Sequence, residues 1–301
     1  MKFAIAIAVT LFGCSSQTSG SGLGDSCDRE NACDEGVCSV THTTDGSGEC
    51  IAADEDIDSD GLTNENDFCN DGMGGQYDED RDLIGDDCDK CPIAAPPANP
   101  DMDGDDVDSP CDPDPRTPGD KIVVFEGFRT GVPTNWNKTG TWTHAGGDVI
   151  GVPETPTGFA TLSVALPLTT TKLAVLVQYR ADSSDPAAPR SYAGLIARDL
   201  RPASNAVARC GSTRSSALGD GLSLETDAGQ MFTPIINSFN SASLYSVALR
   251  VEGIQAGCAM IADATQVAAT ATTSGEALTE AGVFVQGSTV RFTYVLAIQR
   301  Q

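Results

Sequence analysis

Basic side chains are scarce in this chain. Its 301 residues carry 18 Lys and Arg against 43 Asp and Glu, a formal charge of -25 and an isoelectric point near 4.1. That balance argues against a nucleic-acid partner, whose phosphates demand the opposite sign. Aromatic residues are also few, at 6%, and with 31 glycines they oppose one large helical core. No apolar run is long enough to cross a bilayer: the uncharged residues 3–12 would span about 15 Å as a helix, half of a hydrocarbon core of roughly 30 Å. A Gly-x-Ser-x-Gly elbow, a His-Glu-x-x-His pair and a phosphate-binding loop are all missing, which removes the commonest hydrolase, metalloprotease and nucleotide signatures.

What is present is unevenly placed. Residues 1–120 hold 30 acidic and 5 basic side chains, whereas residues 121–301 hold 13 of each, so at least two physically different regions are expected. Eleven cysteines in so acidic a chain point to an oxidising compartment. The start, Met1-Lys2 followed by ten uncharged residues, reads as an export signal over 1–13. Leu11-Phe12-Gly13-Cys14 resembles the bacterial lipoprotein signal, although Phe12 is bulkier than that family usually has. The resemblance implies lipidation of Cys14 as the mature N-terminus, with ordinary cleavage and secretion as the alternative. Ser15 after the Cys implies outer-membrane sorting, hence a cell-envelope or extracellular location with the membrane touched only through a lipid anchor. Residues 14–24, small and polar, are expected to form a flexible tether.

Within residues 25–53, Cys27, Cys33, Cys38 and Cys50 stand among almost no large apolar side chains, so crosslinks must replace a core. Zinc is the competitor, but the spacing lacks a Cys-x2-Cys knuckle and the only nearby histidine is His42. Two disulfides are expected, with three connectivities open.

Residues 54–120 repeat a phrase: Asp56-x-Asp58-x-Asp60-Gly61, Asp78-x-Asp80-x-Asp82-Leu83 and Asp101-x-Asp103-x-Asp105-Asp106, the starts lying 22 and 23 residues apart. Position 9 is Asn64, Asp86 and Ser109, and position 12 is Asp67, Asp89 and Asp112. Calcium explains the spacing, because a hard cation wants six to eight oxygens and a loop turning at position 6 brings carboxylates 1, 3, 5 and 12 onto one ion. The backbone carbonyls at position 7, those of Leu62, Ile84 and Val107, are further expected donors. Helices flanking an EF-hand are not in the sequence. Cys88-Asp89-Lys90-Cys91-Pro92 and Asn99-Pro100-Asp101 make the segment resemble thrombospondin type 3 repeats. That resemblance implies a chain wrapped around a row of Ca²⁺ ions, with Cys69 paired to Cys88 and Cys91 to Cys111. Leu83 and Asp106 replace the turn glycine at some steric cost, and Ser109 is a poorer donor, so the first and second loops are expected to outrank the third. Residues 51–120 carry 23 acidic and 3 basic groups, and self-repulsion makes the segment depend on its metal.

Residues 121–301 alternate in the manner of half-buried strands: Tyr245, Val247, Leu249 and Val251; Val290, Phe292, Tyr294, Leu296 and Ile298; Leu162, Val164 and Leu166. Further strands are expected at 122–128, 173–180, 192–198, 206–210, 222–226 and 258–262. About ten strands without an amphipathic helix predict a mostly β chain, its C-terminal β-sandwich preceded by an irregular calcium- and disulfide-stabilised segment. Cys210 and Cys258 are the only cysteines of this region and are expected to pair. The opening Phe125-Glu-Gly-Phe, Trp136 and Gly-Thr-Trp142, with the closing Ala281-Gly-Val-Phe, resemble concanavalin A-like lectin/glucanase sandwiches. The resemblance implies a jelly roll whose concave face can hold a sugar or another surface ligand. Trp136 and Trp142 are expected in the core rather than stacked on a ligand, and His144 on the surface. The glucanase triplet Glu-x-Asp-x-(x)-Glu is missing, and Glu225-Thr-Asp227 reads as a strand end entering a turn. Binding or adhesion without catalysis is therefore expected, with a glycoside hydrolase, using two facing carboxylates, as the alternative.

Overall fold

The computed structural model describes residues 22–27, 33–39, 48–70, 76–95, 101–201, 207–235, 239–241, 243–263 and 265–300. The expected signal, Cys14 and most of the tether lie outside them, as does His42. The chain divides into two compact units, Met1–Gln76 and Tyr77–Gln301.

In the first unit, β1 (Ser26–Cys27), β2 (Val37–Ser39) and β3 (Gly48–Ile51) form an antiparallel sheet in the order β1-β3-β2. Disulfides Cys27–Cys38 and Cys33–Cys50 bridge it. These bonds resolve the open connectivity and consume the thiolates a zinc ion would need. Gly48 lies so close to them that an added Cβ would sit 2.7 Å from the Cys38 sulfur. A single 3-10 turn, Asn64–Asn66, follows inside the first acidic loop.

The second unit contains β4 (Asp120–Glu126), β5 (Asn137–Thr139), β6 (Thr141–Ala145), β7 (Asp148–Val152), β8 (Phe159–Thr170), β9 (Lys172–Ser184), β10 (Arg190–Arg198), β11 (Val207–Ser215), β12 (Gly219–Thr226), β13 (Gly229–Pro234), β14 (Tyr245–Glu252), β15 (Gln255–Ala262), β16 (Thr265–Thr272), β17 (Leu278–Gln286) and β18 (Ser288–Arg300). They build a seven-stranded sheet, β13-β12-β11-β10-β17-β8-β5, and an eight-stranded sheet, β16-β15-β14-β9-β18-β7-β6, with β4 paired to β18. Inward residues of both sheets share one core, among them Val177, Tyr179, Leu195, Leu222, Leu249 and Val283. Cys210 on β11 and Cys258 on β15 join the sheets by a disulfide, and the Tyr179 hydroxyl crosses from β9 to donate to the Ala193 carbonyl at 3.0 Å. Trp136 is buried in this core against Phe128, Trp142 packs on it, and His144 is exposed.

Two sequence expectations change here. Val290, Phe292, Tyr294, Leu296 and Ile298 do not share one face. The register of β18 against β9 shifts between Phe292 and Tyr294, and such a bulge moves every later side chain to the opposite face. Val295 and Ala297 thus enter the main core, while Leu296 and Ile298 join a second one. The second change concerns the acidic segment. That second core contains Cys91, Val107 and Cys111 from the repeats together with Ala174, Leu296 and Ile298 from β9 and β18, flanked by Ile93, Ile122 and Phe125. The second and third acidic loops therefore pack on the outer face of the eight-stranded sheet. The Cys91–Cys111 disulfide lies in this contact. Cys69 and Cys88 are each disulfide-bonded.

Candidate metal centre

All three acidic loops adopt one backbone design. Position 6 is left-handed in each, at Gly61 (φ 103°), Leu83 (φ 76°) and Asp106 (φ 72°), and so is position 4, at Ser59 (φ 66°), Arg81 (φ 67°) and Gly104 (φ 81°). The position-1 carboxylate ties the turn: Asp56 accepts the amide of Gly61 at 3.1 Å, Asp78 that of Leu83 at 2.9 Å and Asp101 that of Asp106 at 3.1 Å. The position-5 carboxylate accepts the amide at position 7, with Asp60 to Leu62 at 2.9 Å, Asp82 to Ile84 at 2.8 Å and Asp105 to Val107 at 3.1 Å.

These turns converge the carboxylates. Within Asp56, Asp58 and Asp60, within Asp78, Asp80 and Asp82, and within Asp101, Asp103 and Asp105, one oxygen per residue lies within 4.8 Å of the others. A neutral protein environment does not hold three such groups together without cost. In the second and third loops the cost is visible as buried oxygens lacking any hydrogen-bond donor: Asp80 Oδ2 and both oxygens of Asp103. A hard divalent cation is the partner that fits this donor set.

Side chains at positions 9 and 12 also accept backbone amides. Asn64 Oδ1 accepts the amide of Ile57 at 3.0 Å and Asp86 Oδ1 that of Glu79 at 2.8 Å, so both close the loop on its own start. Asp67, Asp89 and Asp112 cap the next turn by accepting the amides of Cys69, Cys91 and Asp114. Among the described residues neither Asp67 nor Asp89 joins a triplet at the spacing above. Asp112 gathers instead with Asp105 and with Asp120, a residue the repeat pattern does not reach. Burial, followed by the neighbouring carboxylates Asp82 and Asp78, pushes Asp80 up to about 6. Burial likewise raises Asp86 to about 7 and Asp89 to about 8.

Comparison with known protein families and with curated proteins finds no match. Several solved structures are similar in part. A xylan beta-1,4-xylosidase from Bacillus halodurans C-125 is 12% identical over 63% of this chain, at a TM-score of 0.41, and this chain spans 41% of its length. The CBM2 module of an evolved Dit of Lactobacillus casei BL23 phage J-1 is 12% identical, covering 60% of this chain and 96% of its own, at 0.46. The lectin UEA-II, complexed with galactose, is 9% identical, covering 60% of this chain and all of its own, at 0.41. Identities and scores this low carry no inference about ligand or activity.

The seven-stranded sheet turns a second set of polar groups outward. Tyr192, Ile196 and Phe284 are buried on this face, with the Arg190 guanidinium 3.9 Å above the Tyr192 ring. Glu225 is bonded to Arg190 and faces Arg209, while Glu280 accepts from Arg198, Ser163 and Asn137. Asp227 lies in the turn after β12 and accepts the Ser274 amide. Glu225 and Glu280 stand on β12 and β17, three strands apart through β11 and β10. At about 4.8 Å per strand their backbones are roughly 14 Å apart.

Proposed function

We propose that this is a calcium-binding protein of the cell envelope or extracellular space, in which ions held by the acidic loops are structural and the sandwich binds a ligand without turnover. The observation that carries the metal reading is the three carboxylate triplets, each gathered within 4.8 Å by the same left-handed turns. The buried, donor-free oxygens of Asp80 and Asp103 support it. Affinities of roughly 10⁻⁴ to 10⁻³ M, usual for extracellular calcium modules, suit permanent occupancy outside the cell. The four disulfides within the two units fit an oxidising compartment. Among the described residues no helix is long and apolar enough to cross a membrane, and a lipid on Cys14 is the proposed anchor. For the sandwich, a glycan or a surface protein is the proposed ligand and adhesion the proposed role. The acidic side chains found on its seven-stranded face are engaged by arginines.

Limited proteolysis of the full chain with and without a chelator tests the metal role. Calcium should protect residues 54–70, where no large core is available, and chelation should open them. Unchanged cleavage there would remove the structural role of the ion. A glycan array probed with the full chain tests the ligand, and sugar release from any polysaccharide on it would replace binding by hydrolysis.

A further inference from the structure

We propose that Arg209, on the outward face of the seven-stranded sheet, recognises a carboxylate, so that the ligand of the sandwich is an acidic saccharide built from uronic-acid units. This rests on the ligand-binding reading of the sandwich and specifies the class of ligand. The acidic loops play no part in it.

Three guanidiniums meet two carboxylates on this face. Arg190 is fully engaged, donating to Glu225, Thr213 and Ser223 and lying over the Tyr192 ring. Arg198 is held by Glu280 and Ser163. Arg209 is held by neither route. It is the register partner of Glu225 where β11 meets β12, yet its Nη1 reaches that carboxylate only at 3.6 Å, too far for a hydrogen bond. Its Nε is buried with no acceptor. The guanidinium lies 4.9 Å over the Phe159 ring, and 28% of the side chain is exposed. A cation largely shielded from water without hydrogen-bonded compensation is costly. The local surplus is one positive charge, in a chain whose formal charge is -25. An oxyanion removes that cost, and the planar guanidinium fork matches a carboxylate.

The surroundings favour a saccharide over a peptide. Strands β11, β10 and β17, which form the middle of this face, are each paired on both sides, so an extended peptide finds no free backbone edge to join. The face offers side chains instead. Phe159, half-buried, packs on the buried Tyr192, Ile196 and Phe284. Gln230 on β13, the register partner of Glu225, is exposed at one margin, and Asn137 and Thr139 on β5 are exposed at the other. An aromatic ring, neutral hydrogen-bonding groups on either side and one uncompensated guanidinium suit a sugar ring that carries hydroxyls and a single carboxylate.

Calorimetric titration of the full chain in saturating calcium tests this, using oligosaccharides of galacturonate, mannuronate and glucuronate beside their methyl esters. At least one free acid should bind about tenfold more tightly than its ester, and added salt should weaken it. The register partners Arg209 and Glu225 should act with opposite sign. Arg209→Met, which keeps an apolar contact for Phe159, should remove the advantage of the acid over the ester, and Arg209→Lys should keep part of it. Glu225→Gln, which removes a competing carboxylate, should tighten binding of the acid about threefold. If Arg209 only packs on its neighbours, acid and ester bind the wild type alike, and the proposal fails. An acid preference that survives in Arg209→Met comes from calcium bridging to the acidic loops and equally overturns the assignment. Binding of the esters without preference for the acids defeats the proposal and leaves the glycan reading standing, whereas no binding of any saccharide removes both.

Discussion

Leu83 occupies the same left-handed backbone region as Gly61, at φ 76° against 103°, and closes the same hydrogen bond to the first aspartate of its loop. The side chain is 75% exposed, so it contributes little packing to offset that strain. A non-glycine residue there costs about 1–2 kcal/mol, and glycine's extra unfolded entropy returns roughly 0.5–1 kcal/mol of it. Leu83→Gly should therefore stabilise the chain by about 0.5–1 kcal/mol in denaturant unfolding, and Gly61→Ala should destabilise it.

Asp103 offers a test in which the sign of an effect reverses. Burial and then the neighbouring carboxylates Asp105 and Asp101 raise its pKa, so in stripped protein the charged carboxylate is repelled by both. Asp103→Asn should raise the melting temperature without calcium and lower it with calcium. A shift of the same sign under both conditions would mean that the carboxylate is not a ligand.

The spacing of aspartates at positions 1, 3 and 5 was legible in the sequence because ligand chemistry repeats with the chain, and so was the need for a left-handed residue at position 6. Position 4 was not legible, since Ser59, Arg81 and Gly104 share no residue type although they share a conformation. Counting both positions, the first loop has glycine at one (Gly61), the third at one (Gly104) and the second at neither. By conformational cost the second loop ranks last, whereas the expected order placed the third last because Ser109 is the poorer donor. Asp120 was invisible because its proximity to Asp112 arises from tertiary packing. The change of face along β18 was hidden for a related reason: alternation persists through a bulge in sequence while the side chains cross to the other side.

Stability should depend on pH in opposite ways with and without metal. Burial raises Asp80 and Asp112 to about 6, Asp86 to about 7 and Asp89 to about 8. A group whose pKa is raised on folding stabilises the fold below its unfolded value, near 4, and loses that contribution as pH rises through the folded value. Stripped protein should melt at progressively lower temperature from pH 5 to pH 8. Saturating calcium should flatten or invert the trend, and calcium uptake at pH 6.5 should release protons, read as a buffer-dependent enthalpy in calorimetry.

The Cys210–Cys258 disulfide spans 48 residues and joins the two sheets. Replacing both cysteines by alanine should cost about 2–4 kcal/mol, chiefly by freeing the unfolded chain. Urea unfolding read by tyrosine and tryptophan fluorescence measures this, and calcium affinity of the first loop should not change.

Equilibrium dialysis of calcium against the stripped full chain, beside a variant carrying Asp58→Asn, Asp80→Asn and Asp103→Asn together, tests the metal reading most directly. The expected result is saturable uptake of three or more ions by the wild type, at roughly 10⁻⁴ to 10⁻³ M, with most of it lost in the variant. Equal uptake by the two proteins, or no saturable uptake by either, would contradict calcium as the ion these loops are built to hold.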